Sequence, residues 1–323
     1  MRLAINGFGN IGQAFAELLQ RKQAELALPL QVVAIVTRSR GRIYNPAGLA
    51  LEQLLRDGQL PAETWDLADL LRDGSIDVLI EATPTDLQTG GSALETFRVA
   101  LRAGVHVVTV NKGPLAVAYQ ELMELAHAHH AKLLFEGTVM AGTPSIRLAQ
   151  SALNGNQILG ARGILNGTTN YILTQMETGM AYADALAQAQ ALGYAEPDPS
   201  GDVDGWDAAA KVLILSNMLY NNPLTLPDLS VTGISAITLA DVQQAQRDGK
   251  RWKLIAEITP DGGSVAPVLL AADDPLASVG GATNAITYQT ELLGDVTLIG
   301  AGAGRIETAF AILADVLSLI KPE

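Results

Sequence analysis

Two lysines and two acidic residues stand out as groups able to move a proton. Asp207 and Lys211 lie four residues apart in Trp206–Tyr220, a stretch whose spacing predicts a helix, so both project from one helix face. Lys112 follows Asn111 at the end of the apolar run Val105–Val110, and Glu196 lies within Gly193-Tyr194-Ala195-Glu196-Pro197-Asp198-Pro199. An ammonium is a compact donor whose pKa falls readily on burial. When a hydride reaches an aldehyde carbon, the oxygen becomes an alkoxide that needs a proton or a positive neighbour. In the reverse direction a base must take the alcohol proton. Lys112 and Lys211 can divide these tasks. An isolated Asp207–Lys211 pair on a surface would contribute only tenths of a kcal/mol, so its surroundings decide its meaning. The chain has no cysteine, which excludes a thiol nucleophile, disulfides and Cys-ligated zinc or iron–sulfur centres.

A hydride needs a carrier, and the first residues provide a place for one. Gly7-Phe8-Gly9-Asn10-Ile11-Gly12 matches G-x-G-x-x-G. The apolar residues 1–6 predict a strand before it, Ile11–Leu28 a helix after it, and Leu30–Thr37 a second strand. That context turns a weak motif into a dinucleotide-binding βαβ unit. The first glycine permits the tight turn, the second lets the main chain approach a pyrophosphate, and the third lets helix and strand close together. The second strand does not end in an acidic residue that would select NAD. It runs into Thr37-Arg38-Ser39-Arg40-Gly41-Arg42, where Arg38 and Arg40 can hold a 2′-phosphate. This favours NADP, with NAD use possible.

The elements that position these groups alternate. Ile76–Thr83 reads as a strand, Ser92–Ala103 as a helix, Val105–Val110 as a strand, Ala116–His129 as a helix and Lys132–Phe135 as a strand. Such alternation implies a doubly wound parallel sheet of Rossmann type. After residue 135 turn-rich segments take over, with candidate strands at Trp252–Ile258, Val265–Leu270, Ala285–Thr290 and Val296–Ile299. The expected fold class is α/β, with this N-terminal sheet and a second α+β domain. The expected domains are 1–135, completed by the C-terminal helical segment 301–323, and 136–300.

With 323 residues, 48% hydrophobic and 17% charged, there is material for a large core. The net charge of −13, from 34 acidic and 21 basic residues, disfavours nucleic acid as a partner. No apolar run reaches the roughly 18 residues that a membrane span needs. The N-terminal residues enter the glycine turn without a signal peptide, so a cytoplasmic location is expected. His127, His129 and His130 read as charges at a helix C-terminus rather than as a metal site.

Three segments carry a family resemblance: Asn111-Lys112-Gly113-Pro114, Gly163 through Leu173 with Asn166-Gly167-Thr168-Thr169-Asn170, and Gly193–Pro199 followed by Asp202–Lys211. Glu136-Gly137-Thr138-Val139-Met140-Ala141-Gly142-Thr143-Pro144 and Gly300-Ala301-Gly302-Ala303-Gly304 add to it. In order and spacing the chain resembles homoserine dehydrogenases over essentially its whole length. The resemblance implies reversible NAD(P)H-dependent reduction of L-aspartate 4-semialdehyde to L-homoserine, in threonine and methionine biosynthesis. It implies Lys211 as acid/base, Lys112 as its catalytic partner, and Glu196, Asp207 and Gly193 as substrate-binding residues. Cofactor binding is implied for Gly7, Phe8, Gly9, Asn10, Ile11, Gly12, Arg38, Arg40, Thr83, Lys112 and Gly302. A monovalent cation, Na or K, is implied at Glu136, Val139, Ala141 and Thr143, mainly through backbone oxygens.

The resemblance also implies a homodimer formed through the central segment. The chain ends just after Ile306–Ile320, so the C-terminal regulatory (ACT) domain of longer relatives is not expected. An aldehyde dehydrogenase forming a thioester fails for want of a cysteine. A nucleotide-binding protein without catalysis would not need Lys112, Glu196, Asp207 and Lys211 together.

Overall fold

An apolar strand with no polar alternation must be covered on both faces. Leu3, Ala4 and Ile5 are accordingly buried completely in β1 (Arg2–Asn6). The computed structural model describes residues 1–320. On one side of β1 lie the parallel β2 (Gln31–Val36) and then the short antiparallel β3 (Arg42–Tyr44). On the other side lie β4 (Val78–Glu81), β5 (His106–Thr109) and β6 (Leu133–Leu134), all parallel. The spatial order is β3-β2-β1-β4-β5-β6. The chain reverses its direction of winding between β1 and β4, and ligands of open α/β sheets bind beyond the strand ends at such a point. The expected doubly wound sheet is therefore present. Only β3 went unread, inside what the sequence presented as an arginine-rich loop.

The chain divides into two compact units. One comprises Met1–Gly142 and the residues from Gly304 onward, and the other Thr143–Ala303. The terminal helix Arg305–Ile320 lies against helix Asn10–Leu26, where Ala309, Ile312, Leu313 and Val316 share a core with Phe15 and Leu19. The first boundary falls seven residues beyond the expected one. Close approach is the reason. A side chain on Gly142 would sit 2.4 Å from the Glu307 carbonyl oxygen, and one on Gly137 would sit 3.2 Å from the Ala311 Cβ. The Glu136 amide donates to the buried Asp315 carboxylate at 3.0 Å. Residues 136–142 are thereby bound to the terminal helix. The second boundary falls after Ala303, so Gly302 belongs to the second unit.

The second unit is built on β7 (Ile158–Ile164), β8 (Ser230–Val231), β9 (Lys250–Thr259), β10 (Gly262–Ala271), β11 (Thr283–Thr290) and β12 (Gly294–Ala301). Their order is β12-β11-β7-β9-β10-β8. The pairs are antiparallel except β8 with β10. All four candidate strands fall inside observed ones. β7 was not legible as a strand because glycines interrupt it. Those glycines serve packing: a side chain at Gly163 would lie 2.4 Å from the Ala285 carbonyl oxygen. Helix Trp206–Tyr220 covers β9 and β10, with Val212 seated where Gly263 leaves room.

Candidate active site

In the first unit the three glycines of the turn play different parts. Gly7 has φ +98, and a side chain there would lie 2.6 Å from the Ala82 carbonyl group. A side chain at Gly12 would lie 2.1 Å from the Gly7 oxygen. Both are forced by the protein's own packing. Gly9 instead has nothing within 4 Å of where a side chain would be. Open space at that glycine is what an approaching pyrophosphate requires. Gly9 is the N-cap of helix Asn10–Leu26, whose first turn contains no acidic residue. Its positive dipole end is thus left for an anion. Phe8 is buried beneath the turn, whereas Asn10 is exposed and Ile11 half-buried.

The three arginines after β2 separate in placement. Arg40 folds back onto the glycine turn, where its Nη2 donates to the Phe8 carbonyl. Arg38 stays exposed on the loop. Arg42 is engaged elsewhere, donating to the Trp65 carbonyl at 2.6 Å with its guanidinium 5.7 Å from the Trp65 ring centre.

At the carboxyl ends of β4 and β5, Thr83 and Asn111 are joined. Asn111 Nδ2 donates to Thr83 Oγ1 and to the Pro84 carbonyl, each at 3.2 Å. Asn111 Oδ1 accepts from the Gly113 amide at 3.0 Å. Lys112 occupies the N-cap of helix Gly113–Ala128 and is half-buried.

In the second unit, Lys211 is buried, with 6% of its surface exposed. Its Nζ donates to Asp207 Oδ2 at 2.7 Å and to the Leu165 carbonyl at 2.5 Å. Helical spacing supplies the first acceptor, and the end of β7 supplies the second. Asn166, the N-cap of helix Gly167–Glu177, accepts from the Thr169 amide at 2.9 Å through Oδ1. Its Nδ2 donates to Asp202 Oδ1 at 2.6 Å and to Asp207 Oδ2 at 3.1 Å. One asparagine therefore caps a helix and spaces two carboxylates. Burial, and then the neighbouring Asp207 charge, push the Asp202 carboxyl above the ordinary range, against the Asn166 hydrogen bond.

Residue type and spacing alone assign no role in the site to Asn166 or Asp202. A cap signal was available in Asn166-Gly167-Thr168-Thr169. Nothing in spacing distinguishes Asp202 from Asp198 or Asp204.

Gly193 and Glu196 are exposed and lie on the loop after helix Tyr182–Ala191. Gln190 Nε2 holds the carbonyls of Glu196 and Pro197 at 3.1 and 3.3 Å. Thr168 Oγ1 donates to the Tyr194 carbonyl at 2.6 Å, tying this loop to the capped helix. The Glu196 carboxylate is thus close in sequence to the Lys211 cluster, yet it accepts no hydrogen bond from the cluster's side chains among the described residues.

Along 136–143, Val139, Met140 and Ala141 are buried. Met140 and Ala141 both take left-handed backbone conformations, φ 58 and 48. Thr143 Oγ1 donates to the Ala301 carbonyl at 2.9 Å. Gly302 has no space of its own, since a side chain would fall 1.9 to 2.2 Å from the Asn284 amide group. It serves close packing against that side chain.

Comparison with known proteins covers both units of the chain. Residues 7–136 match the family model described as homoserine dehydrogenase, NAD binding domain, and residues 144–317 the model described as homoserine dehydrogenase. The chain belongs to the homoserine dehydrogenase family. It is 46% identical to an NAD(+)-dependent homoserine dehydrogenase of Pseudomonas canavaninivorans, over 98% of this chain and 96% of that protein. It is 40% identical to a homoserine dehydrogenase of Methanocaldococcus jannaschii, over 99% and 98% of the two chains. Among solved structures it resembles a hyperthermophilic archaeal homoserine dehydrogenase in complex with NADPH. That match has a TM-score of 0.86 and 32% identity, covering 100% of this chain and 98% of the other. Homoserine dehydrogenases are NAD(P)-dependent oxidoreductases that interconvert aspartate 4-semialdehyde and homoserine, and the expected enzyme class therefore stands. No helix among the described residues is long and apolar enough to cross a membrane.

The Asp202 shift has a consequence for stability. Its folded pKa lies above the unfolded value, so the folded state binds this proton more tightly. The resulting stabilisation is complete below the unfolded pKa of about 3.9 and is lost as pH rises through the folded pKa. Asp202→Asn removes that titration. The unfolding free energy of the wild type minus that of the variant, measured in urea, is expected to fall as pH rises from about 4 to 7. A difference that rises over this range contradicts the assignment.

Proposed function

We propose that Lys211 is the acid/base of a reversible reduction of L-aspartate 4-semialdehyde to L-homoserine. The observation that carries this reading is the burial of its ammonium between Asp207 and the Leu165 carbonyl. An exposed lysine has little directional constraint, whereas this Nζ has two acceptors within 2.7 Å and room for one further hydrogen bond. When bound, the nicotinamide dinucleotide supplies the hydride that forms the new C–H bond. Lys211 then gives its proton to the carbonyl oxygen, which becomes the hydroxyl of homoserine. Asp207 holds Nζ in place, and Asn166 holds Asp207. In the reverse direction Lys211 receives the hydroxyl proton.

Lys112, at the strand ends of the first unit, is assigned to the nicotinamide side as the second catalytic lysine. Glu196 and Asp207 are assigned to the substrate's polar groups, at least one of them to its ammonium, with Gly193 allowing the loop to turn beside it. The left-handed φ of +77 at Gly193 supports that last assignment.

The dinucleotide is proposed to lie across the glycine turn at Gly9, with Thr83 and Lys112 farther along the sheet edge. Arg40, already folded onto Phe8, and the exposed Arg38 favour NADP, with NAD also accepted. The similar Pseudomonas protein is named as NAD(+)-dependent and the archaeal structure holds NADPH, so the family uses both. A monovalent cation, Na or K, is proposed for the backbone oxygens of Glu136, Val139, Ala141 and Thr143. Two successive left-handed residues, Met140 and Ala141, in a buried loop support this reading, since backbone oxygens suit a hard cation. The ion's contribution would be to hold the loop. A cytoplasmic homodimer completes the reading. The exposed edge strand β12 carries Ile299, and the hairpin before it carries exposed Leu292 and Leu293, which supports pairing through the second unit.

Absorbance at about 340 nm follows the reaction, because the reduced nicotinamide absorbs there. Homoserine with NADP⁺ or NAD⁺ is expected to raise it, and no cofactor reduction under any condition sinks the enzyme assignment. Lys211→Ala is expected to lower kcat by about 100- to 10,000-fold while dinucleotide affinity survives. Normal turnover with lost affinity would reverse the role given to this lysine. Arg40→Ala is expected to raise the KM for NADPH several-fold more than that for NADH; equal effects refute the phosphate role. Light scattering is expected to give twice the 33.9 kDa chain mass, and a monomer at working concentration refutes the dimer.

A further inference from the structure

Glu81 is the one carboxylate of the first unit's sheet that is wholly buried, at 0% exposure, and no role has been given to it above. It ends β4, opposite Asn6 of β1 on one side and Thr109 of β5 on the other. These three residues meet at the point where the strand order reverses. Asn6 Nδ2 donates to Glu81 Oε2 at 2.7 Å. The Thr83 amide donates to Oε1 at 2.8 Å, and the Thr83 hydroxyl donates to the same oxygen. Thr83 Oγ1 in turn accepts from Asn111, whose Oδ1 receives the Gly113 amide beside Lys112. Among the described residues no ammonium or guanidinium forms an ion pair with Glu81, and every donor it has is neutral.

A buried carboxylate without a cation costs several kcal/mol relative to an apolar residue of similar size. Packing alone gives no reason to keep it. What it supplies is convergence. One carboxylate draws together the residue before Gly7, the turn after β4 and the turn that carries Lys112. The Gly7 backbone leaves no slack at this place, because a side chain there would lie 2.7 Å from the Thr83 nitrogen. Any shift of Thr83 is therefore transmitted to the glycine turn.

We propose that Glu81 is a positioning residue for the dinucleotide, holding the glycine turn, Thr83 and the Asn111–Lys112 turn in one binding-competent arrangement through its hydrogen bonds to Asn6 and Thr83. The role requires acceptors toward the Thr83 donors and a partner for the Asn6 amide. Glutamine has the same shape and meets both needs: its oxygen faces Thr83, and its N–H₂ group faces Asn6, whose amide turns to present Oδ1. Methionine fills similar space and supplies neither.

The inference rests on the proposed dinucleotide site, and the two are separable. NADPH binding to the wild-type chain, followed by its fluorescence, tests the site by itself. The variants then test Glu81. Glu81→Met, which removes both acceptors, is expected to raise the Kd and the KM for NADPH by about tenfold or more. Glu81→Gln, which keeps an acceptor toward Thr83 and a partner for Asn6, is expected to bind NADPH within about threefold of the wild type. The KM for aspartate 4-semialdehyde is expected to stay within about twofold in both. If Glu81→Met is too unstable to measure, Asn6→Leu decides the matter: a Kd for NADPH raised several-fold supports the role. Wild-type NADPH affinity in a folded Glu81→Met or Asn6→Leu protein overturns it, and so does a Glu81→Gln protein that loses as much affinity as Glu81→Met.

Discussion

The Lys211 ammonium lies where water scarcely reaches it, and a charge so placed must be met by oxygens of the protein. The two it finds come from different levels of structure. Asp207 is a neighbour by helical spacing. The Leu165 carbonyl arrives at the end of β7, 46 residues earlier in the chain, because β7 takes its place in the sheet between β9 and β11. Much of the second unit's organisation near the site follows from keeping these acceptors still. Asn166 caps a helix with one side-chain oxygen and restrains two carboxylates with the nitrogen. Losing it would leave a helix end uncapped and two carboxyl groups adjacent, so two structural demands fall on one side chain.

The first unit answers a similar demand with neutral donors. Three of its strands end together beside the glycine turn, and the buried Glu81 gathers donors from Asn6 at the end of one and Thr83 beyond the end of another. Where the second unit pairs a buried cation with an acid, the first leaves a buried acid without a cation. Burial pushes the Glu81 carboxyl above the ordinary range, while the bonds from Thr83 and Asn6 oppose that shift. The cost of such a group is justified by geometry rather than by stability. The same edge holds the contrast among the glycines: Gly7 and Gly12 are required by the protein's own atoms, and only Gly9 faces space left for something else.

This separation suits a dehydrogenase of two substrates. One unit carries the features proposed to meet a phosphate-bearing dinucleotide, namely a helix N-terminus without an acidic residue and an arginine folded onto the turn. The other carries the buried lysine and the acids that suit an amino acid bearing an aldehyde. Surface ion pairs contribute little to either. Arg305 and Glu17 are each nearly half exposed, and their bond adds little beside the apolar contact of the two helices that carry them.

Features that depend on nearest neighbours along the chain were determined by the sequence itself. The glycine spacing of residues 7–12, the shared helix face of Asp207 and Lys211, the alternating elements of the first unit outside residues 42–72, and four strands of the second could be read there. Local sterics and periodicity set them. The tertiary structure alone decided the rest. It sent Arg40 to the turn and Arg42 to Trp65, although both stand in the same short loop. It assigned 136–142 to the first unit, through contacts with a helix more than 160 residues away in sequence. It made partners of Asn166 and Asp202, and it placed Glu81 against Asn6, two residues whose types and spacing carry no mutual signal. Hydrogen bonds of this kind join atoms brought together by the closing of a sheet, and strand order, which fixes them, is not a local property of the chain.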